Sequence, residues 1–290
     1  MMSIKNQALL VNVTTHQWRP TRKDDNVTNS TNRLFKASHE SGRYIKNLVR
    51  PEWYRPIEAA VKRVQIYVRT HTVPWDNYGF RCLNAKYLFQ FREGYNEAVE
   101  DFRRIVDQQV AKIDSEFILS KQRLGDMYCA SDYPTKEEIK SRYSINMTLR
   151  PIQEAENFLV EASDSDAKFI AQKVREDMAE STKLATDEPW ERLYEIINDL
   201  STRLDKPIED KGRDGRISSV TMERVERLLN ILPMLNVAND PKLEEMNLAA
   251  KQLLRHNPDA LRNNAKTRNQ ARNQADDILS RMRGYAQEAA

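Results

Sequence analysis

Glycine is scarce in this chain, with 7 in 290 residues against a usual frequency of about 7%. Few glycines means few tight turns and few places where backbone can close on a phosphate. No glycine-rich phosphate loop, dinucleotide fingerprint or nucleophile elbow occurs, and no helix carries two histidines at zinc-binding spacing. The four histidines, His16, His39, His71 and His256, are far apart in sequence. "DSD" and "RDGR" match fragments of calcium loops without the remaining ligand positions. No metal, no cofactor and no catalytic residue is therefore expected.

Cysteine is equally sparse. Cys82 and Cys129 match no metal or redox spacing, so a reducing compartment and two buried thiols are expected. No run approaches the roughly 18 apolar residues of a membrane helix. The N-terminal apolar run is interrupted by Asn12, Thr14 and Thr15 and does not read as a signal peptide. The cytoplasm is the expected compartment.

What the chain has is charge, at 31% of residues, unevenly spread. Residues 1–70 carry 13 Lys/Arg against 5 Asp/Glu, a net of +8, whereas residues 151–210 carry 7 against 16, a net of −9. Such segregation makes either a basic surface or two halves of opposite sign that pack together.

Hydrophobic periodicity points to a mainly α protein. Residues 7–18, rich in β-branched side chains, read as a strand ending at Arg19-Pro20. The apolar clusters of 32–49 suit helices weakened by Gly42 and stopped by Pro51. A second helix runs from about Pro56 to Thr70, with Ile57, Ala60, Val61, Val64 and Val68 on one face. Leu88, Phe91, Tyr95, Val99, Phe102, Val106, Val110, Ile113, Phe117 and Leu124 predict one very long central helix over 84–130, about 70 Å at 1.5 Å per residue. Other helices of the chain, or a second copy in a coiled coil, must cover that stripe.

Further along, Thr135 and Glu138 have capping-box spacing. Segments 147–150 and 157–160 read as extended and are expected to pair with residues 8–14 in a small sheet. Helices follow at 165–184 and at 189–204, the second opened by Pro189, and then at 218–232, 241–255 and 267–285. Asp240-Pro241 and Asn257-Pro258 are each a capping residue followed by a first-turn proline. The expected organisation is a helical core with a small sheet over 1–205, a loop or linker over 206–219, and a C-terminal helical segment over 220–290 packed on the core. The fold expected overall is an elongated multi-helix bundle.

Three stretches carry the candidate contact residues. In "HTVPWDNYGFRCLNAKY" (71–87), Pro74, Trp75, Asp76 and Gly79 read as a structural corner, with Pro74 ending a helix and Asp76 shaping the turn. Its exposed edge, Tyr78, Arg81 and Lys86, offers a ring and two cations, the chemistry of single-strand binding, while His71 and Asp76 are the weaker option of an acid/base pair. In "HQWRPTRKDDN", Trp18, Arg19, Arg22 and Lys23 are expected in an exposed basic turn suited to phosphate or an acidic partner. In "RHNPDALRNNAKTRNQARNQ", Arg262, Lys266, Arg268 and Arg272 are expected on a cationic helix face. An ordinary solvated surface is the simpler account of each basic cluster.

Taken together, "LLVNVTTHQWRPTRKDDNVT", "HTVPWDNYGFRCLNAKYLFQF", "RLGDMYCASDYP", "PWERLYEIINDLSTRL", "LLNILPMLNVANDPKLEEM" and "NQADDILSRMRGY" give the chain a pattern that resembles a family of phage- and prophage-encoded proteins. These motifs run in order over nearly its whole length. Members of that family lie in gene neighbourhoods with an AAA+ ATPase of the MoxR type and a von Willebrand factor A protein. The resemblance implies a non-enzymatic accessory or adaptor protein that binds other proteins in an ATPase-driven remodelling system, in the host cytoplasm. It supplies no catalytic residues. The alternative is a protein that binds single-stranded DNA or RNA through its aromatic-basic clusters.

Overall fold

The computed structural model describes residues 4, 7–152, 164–206 and 217–289, so the expected strand at 157–160 and most of the expected linker at 206–219 lie outside it. The fold is mainly α with a small sheet. Two compact units form, each from separate stretches of chain. One comprises Met1–Asn12, Arg69–Phe89 and Thr148–Ala290, and the other Val13–Val68 and Gln90–Met147.

The first unit contains β4 (Val73–Pro74), β5 (Arg81–Asn84), residues 8–12 of β1 (Ala8–His16) and residues 148–151 of β6 (Ser144–Pro151), strands that follow the sheet order β4-β5-β1-β6. The N-terminal strand thus takes the expected place beside residues 147–150. β1 also pairs antiparallel with β5, from Ala8 opposite Asn84 to Val11 opposite Arg81, and β4 pairs with β5 through Val73 opposite Cys82.

Five helices complete this unit: α6 (Asp164–Asp205), α7 (Ser219–Leu235), α8 (Pro241–Leu253), α9 (Pro258–Asn263) and α10 (Ala265–Ala289). Each start has a physical cause. Ser218 and Thr221 cap α7 reciprocally, while Asp240 and Asn257 accept backbone N–H bonds ahead of prolines at the openings of α8 and α9. Leu193, Ile197, Leu200 and Leu204 of α6 are buried with Leu229 and Leu232 of α7, Met246 of α8 and Ile278 of α10. Each such side chain contributes about 1.5–3 kcal/mol by leaving water.

The expected break at Pro189 does not occur. Pro189 lies inside α6, which runs for 42 residues and is the longest helix described. A mid-helix proline removes one hydrogen bond and crowds the carbonyl four residues earlier, at a cost of about 3 kcal/mol, and buried Ala185 and Leu193 on either side hold the helix to the core.

The second unit holds a hairpin of β2 (Thr21–Asp24) and β3 (Tyr44–Asn47), with α1 (Asp25–Leu34) between its strands. This replaces the helices expected over 32–49. Asp24 accepts from the Val27 amide to start α1 early. The helix ends at Phe35, with Lys36 left-handed at φ 50°, and the amide of Asn32 then ties down the carbonyls of His39 and Gly42. Pro51 opens α2 (Pro51–His71) rather than stopping a helix, and Pro56 sits within it. The predicted face of α2 is buried as expected, and Trp53 joins it.

The helix expected over 84–130 is broken into several elements. Residues 81–84 are strand β5, α3 spans Leu88–Ala111, and α4 spans Ile113–Leu124. The stripe from Phe91 to Val110 is nevertheless buried. At the break, the Gln109 carbonyl accepts from the Lys112 amide at 3.0 Å and from Trp53 Nε1 at 2.9 Å. The first is a tightened i→i−3 bond, and together they divert the carbonyl from the regular ladder. Thr135 and Glu138 form the predicted capping box of the short α5 (Lys136–Ser141).

Candidate functional site

The hairpin at 73–84 is built by its turn. Asp76 Oδ1 accepts from the amides of Tyr78 at 2.8 Å and Phe80 at 2.9 Å, and Gly79 takes φ 94°, a conformation that favours glycine. Asp76 and Gly79 thus shape the turn between two strands, while Pro74 lies at the end of β4 rather than ending a helix, α2 having closed at His71. Trp75 is 5% exposed, within the core of the first unit, and a ring so enclosed has no face for a base. Asp76 Oδ1 is committed to the turn through these two amide bonds. Tyr78, by contrast, is 89% exposed, and Lys86 is exposed with its ammonium 5.7 Å from the centre of the Tyr87 ring.

Arg81 is a structural clamp. Its Nε donates to Thr72 Oγ1 at 2.7 Å and its Nη2 to the Thr72 carbonyl at 2.9 Å. Arg192 reaches the carbonyls of Arg69 and Thr70 at 3.2 and 3.3 Å. Two guanidiniums thus satisfy the carbonyls that the end of α2 leaves open. Burial first, and then the charge of Arg192, lower the Arg81 pKa to about 10. Sequence reasoning placed Arg81 at an exposed edge and missed Arg192, for which no local signal exists.

The C-terminal basic face is also partly consumed. Arg268 is 4% exposed, not on a solvated face. It donates to the carbonyls of Leu204 at 3.0 Å, Leu261 at 3.2 Å and Arg203 at 2.5 Å, capping α6, and burial lowers its pKa. Arg262 bonds the Ile217 carbonyl and Asp259, and Arg272 pairs with Asp205 and Asp276. Lys266 remains exposed.

In the second unit, Trp18 is 6% exposed rather than at the tip of an exposed turn. Its ring meets Trp53 edge-on, with centroids 5.7 Å apart and planes at 79°, a favourable aromatic geometry. Arg22 reaches Asp132 at 3.5 Å and Lys23 pairs with Asp25 at 2.7 Å. Arg19 stays exposed and lines two recesses that share Gln17, Trp18 and Arg19. One, of about 500 Å³, adds His16, Ser141, Arg142 and Ser144. The other, of about 400 Å³, adds Tyr54, Ile57, Glu58 and Tyr143. Nothing in the spacing of 16–19 and 141–144 announces that they meet.

Two ion clusters in this unit, one buried and one joining a buried Glu116 to a half-exposed Arg50, were also silent in the sequence. Lys46 pairs with Asp24 at 3.2 Å and Asp132 at 2.9 Å and donates to the Met127 carbonyl. Burial disfavours its charge, but the hydrogen bonds and charges of the two aspartates outweigh that and raise its pKa. Glu116 takes Arg50 Nε, Nη2 and backbone N–H.

Among the described residues no group of three His, Cys, Asp or Glu could hold a metal, and no helix is long and apolar enough to cross a membrane. Cys82 is buried, with its thiol pushed up to about 12 by that burial; Cys129, expected to be buried, is exposed. No family model, curated protein or solved structure matches the chain.

Proposed function

We propose that this chain works without catalysis, by binding other proteins, as a phage accessory or adaptor in a remodelling system driven by a MoxR-type ATPase with a von Willebrand factor A partner. The supporting observation lies at the end of α1 and in β3. Leu34 and Phe35 are 77% and 74% exposed, and Tyr44 and Ile45 are exposed a short distance along the chain. Four large apolar side chains left in water between residues 34 and 45 cost free energy that a partner surface recovers.

Co-expression with the ATPase and the von Willebrand factor A protein tests this reading. Co-elution that Leu34→Ser with Phe35→Ser abolishes, while the circular dichroism spectrum is kept, is the expected outcome. No co-elution with either protein defeats it.

A reading as a single-strand DNA or RNA binder rests on fewer side chains than the sequence suggested. Trp18 and Trp75 are buried, and Arg22, Lys23, Arg81, Arg262, Arg268 and Arg272 have partners within the chain. Arg19, Tyr78, Lys86 and Lys266 remain available. Fluorescence anisotropy with a labelled oligonucleotide at low salt separates the two readings, since phosphate contacts weaken steeply as salt is added.

A further inference from the structure

The paired recesses at Trp18 differ in chemistry. The first is walled by the end of β1 with its following loop and by the end of α5 with the start of β6. Both walls are held. Trp18 is fixed against Trp53, the Thr21 amide donates to the Arg19 carbonyl at 2.8 Å, and α5 is anchored by its capping box and by a Lys140–Asp107 ion pair at 2.6 Å. His16, Arg19 and Arg142 line this recess, and no carboxylate does.

The nearest acid that Arg142 influences is Glu138, one turn earlier, whose carboxyl is held low first by the Thr135 amide and last by Arg142. That carboxylate is already engaged by Thr135. Among the described residues neither Arg19 nor Arg142 makes an ion pair. Ser141 gives its proton to the Glu138 carbonyl, whereas Ser144 Oγ accepts from Asn146 at 3.4 Å and keeps its own proton to donate. Two guanidiniums, an imidazole and a hydroxyl without a carboxylate among them form a site that an anion with several acceptor oxygens stabilises.

The second recess continues from the first through Gln17, Trp18 and Arg19. Tyr54, Ile57, Pro20 and Tyr143 give it apolar and aromatic walls, with a single carboxylate, Glu58. Glu58 disfavours a second anion there and accepts from a ligand N–H or O–H. Recesses of this size, lined by aromatic groups with a few polar ones, suit small ligands.

We propose that this cleft holds a small phosphate monoester with a planar ring, of the nucleoside monophosphate class, its phosphate at Arg19 and Arg142 and its ring between Tyr54 and Tyr143. This site is separate from the apolar side chains of residues 34–45; it shares Arg19 with the nucleic-acid reading, which needs a strand rather than a mononucleotide.

Isothermal titration calorimetry at low salt with adenosine monophosphate, inorganic phosphate and adenosine tests the assignment. The monophosphate should bind more tightly than phosphate alone, and adenosine more weakly than either. Arg19→Gln and Arg142→Gln should each weaken the monophosphate about tenfold, the worth of one charge-assisted hydrogen bond, while Lys266→Gln, in the other unit, should not. No saturable binding of the monophosphate, or equal affinity in both arginine variants and the native protein, overturns the proposal. Equal affinity for phosphate and the monophosphate overturns the assignment of the ring. As a check needing no variant, the Trp18 indole N–H resonance should shift on addition of the monophosphate, and an unmoved resonance refutes the site.

Discussion

Trp53 reaches from α2 to the backbone of α3, its indole nitrogen 2.9 Å from the Gln109 carbonyl, at the point where a long apolar stripe changes from one helix to the next. A side chain thus fixes where a helix ends, where no proline or glycine does. Trp53→Phe keeps an aromatic ring and loses this donor. We expect a loss of about 1–2 kcal/mol, a neutral hydrogen bond plus some packing, read from urea denaturation. An unchanged midpoint would show that the bond is incidental to the break.

Arg268 and Arg272 lie on the same helix with opposite fates. Arg268→Met removes the donor from two buried carbonyls and one part-buried carbonyl and should destabilise the protein by about 3 kcal/mol or more. Arg272→Met loses surface pairs and should cost about 0.5 kcal/mol. Thermal unfolding of the two variants side by side reads the difference, and equal melting temperatures would contradict the capping role of Arg268.

Glu116 gives stability an acid limb. Burial alone would raise its pKa, but the Arg50 side chain and amide bond it and bring it below its ordinary 4.5. A carboxylate depressed in the folded state stabilises above its unfolded value, and that contribution disappears as pH falls through the folded value. Native stability should therefore decline from about pH 4.5 downward, and Glu116→Gln should flatten this decline while lowering stability at pH 7. Denaturant midpoints across pH 3–7 measure it; parallel curves for the two proteins would count against the linkage.

The two thiols should behave as a labelled pair. Cys129, exposed, should react with a disulfide reagent in the native protein. Cys82, buried and with its thiol pushed up to about 12, should react only after denaturation, because the thiolate is the reactive form. Two fast thiols in native conditions would mean that the β4–β5 hairpin opens readily.

The sequence disclosed what is local and periodic. The apolar faces of α2 and α3, the capping box at Thr135 and the proline-led starts of α8 and α9 each depend on neighbours within a turn or two, and the structure bears them out. The errors share a different cause. Trp18 sits in a run that looks like a solvated turn, but Trp53, which covers it, is far along the chain. Arg81 and Arg268 read as surface cations because backbone carbonyls, their true partners, have no residue-type signature. Pro189 failed as a helix start because flanking core contacts outweigh one missing hydrogen bond and the crowding of its ring. The Trp18 cleft stayed hidden for the same reason as the ion pairs of Lys46 and Glu116: its walls come from segments more than a hundred residues apart, and only folding brings them together.

The chain's route through its two units has a consequence for biosynthesis. All the residues of the second unit, which ends at Met147, have been made before α6 begins, whereas the first unit starts at Met1 and runs to Ala290. Its β1 and β5 must wait, through most of translation, for the helices that bury Ala8, Val73, Trp75 and Cys82. A nascent chain stalled after α5 therefore exposes the apolar side of an unfinished sheet, and that interval is when this protein most needs a chaperone.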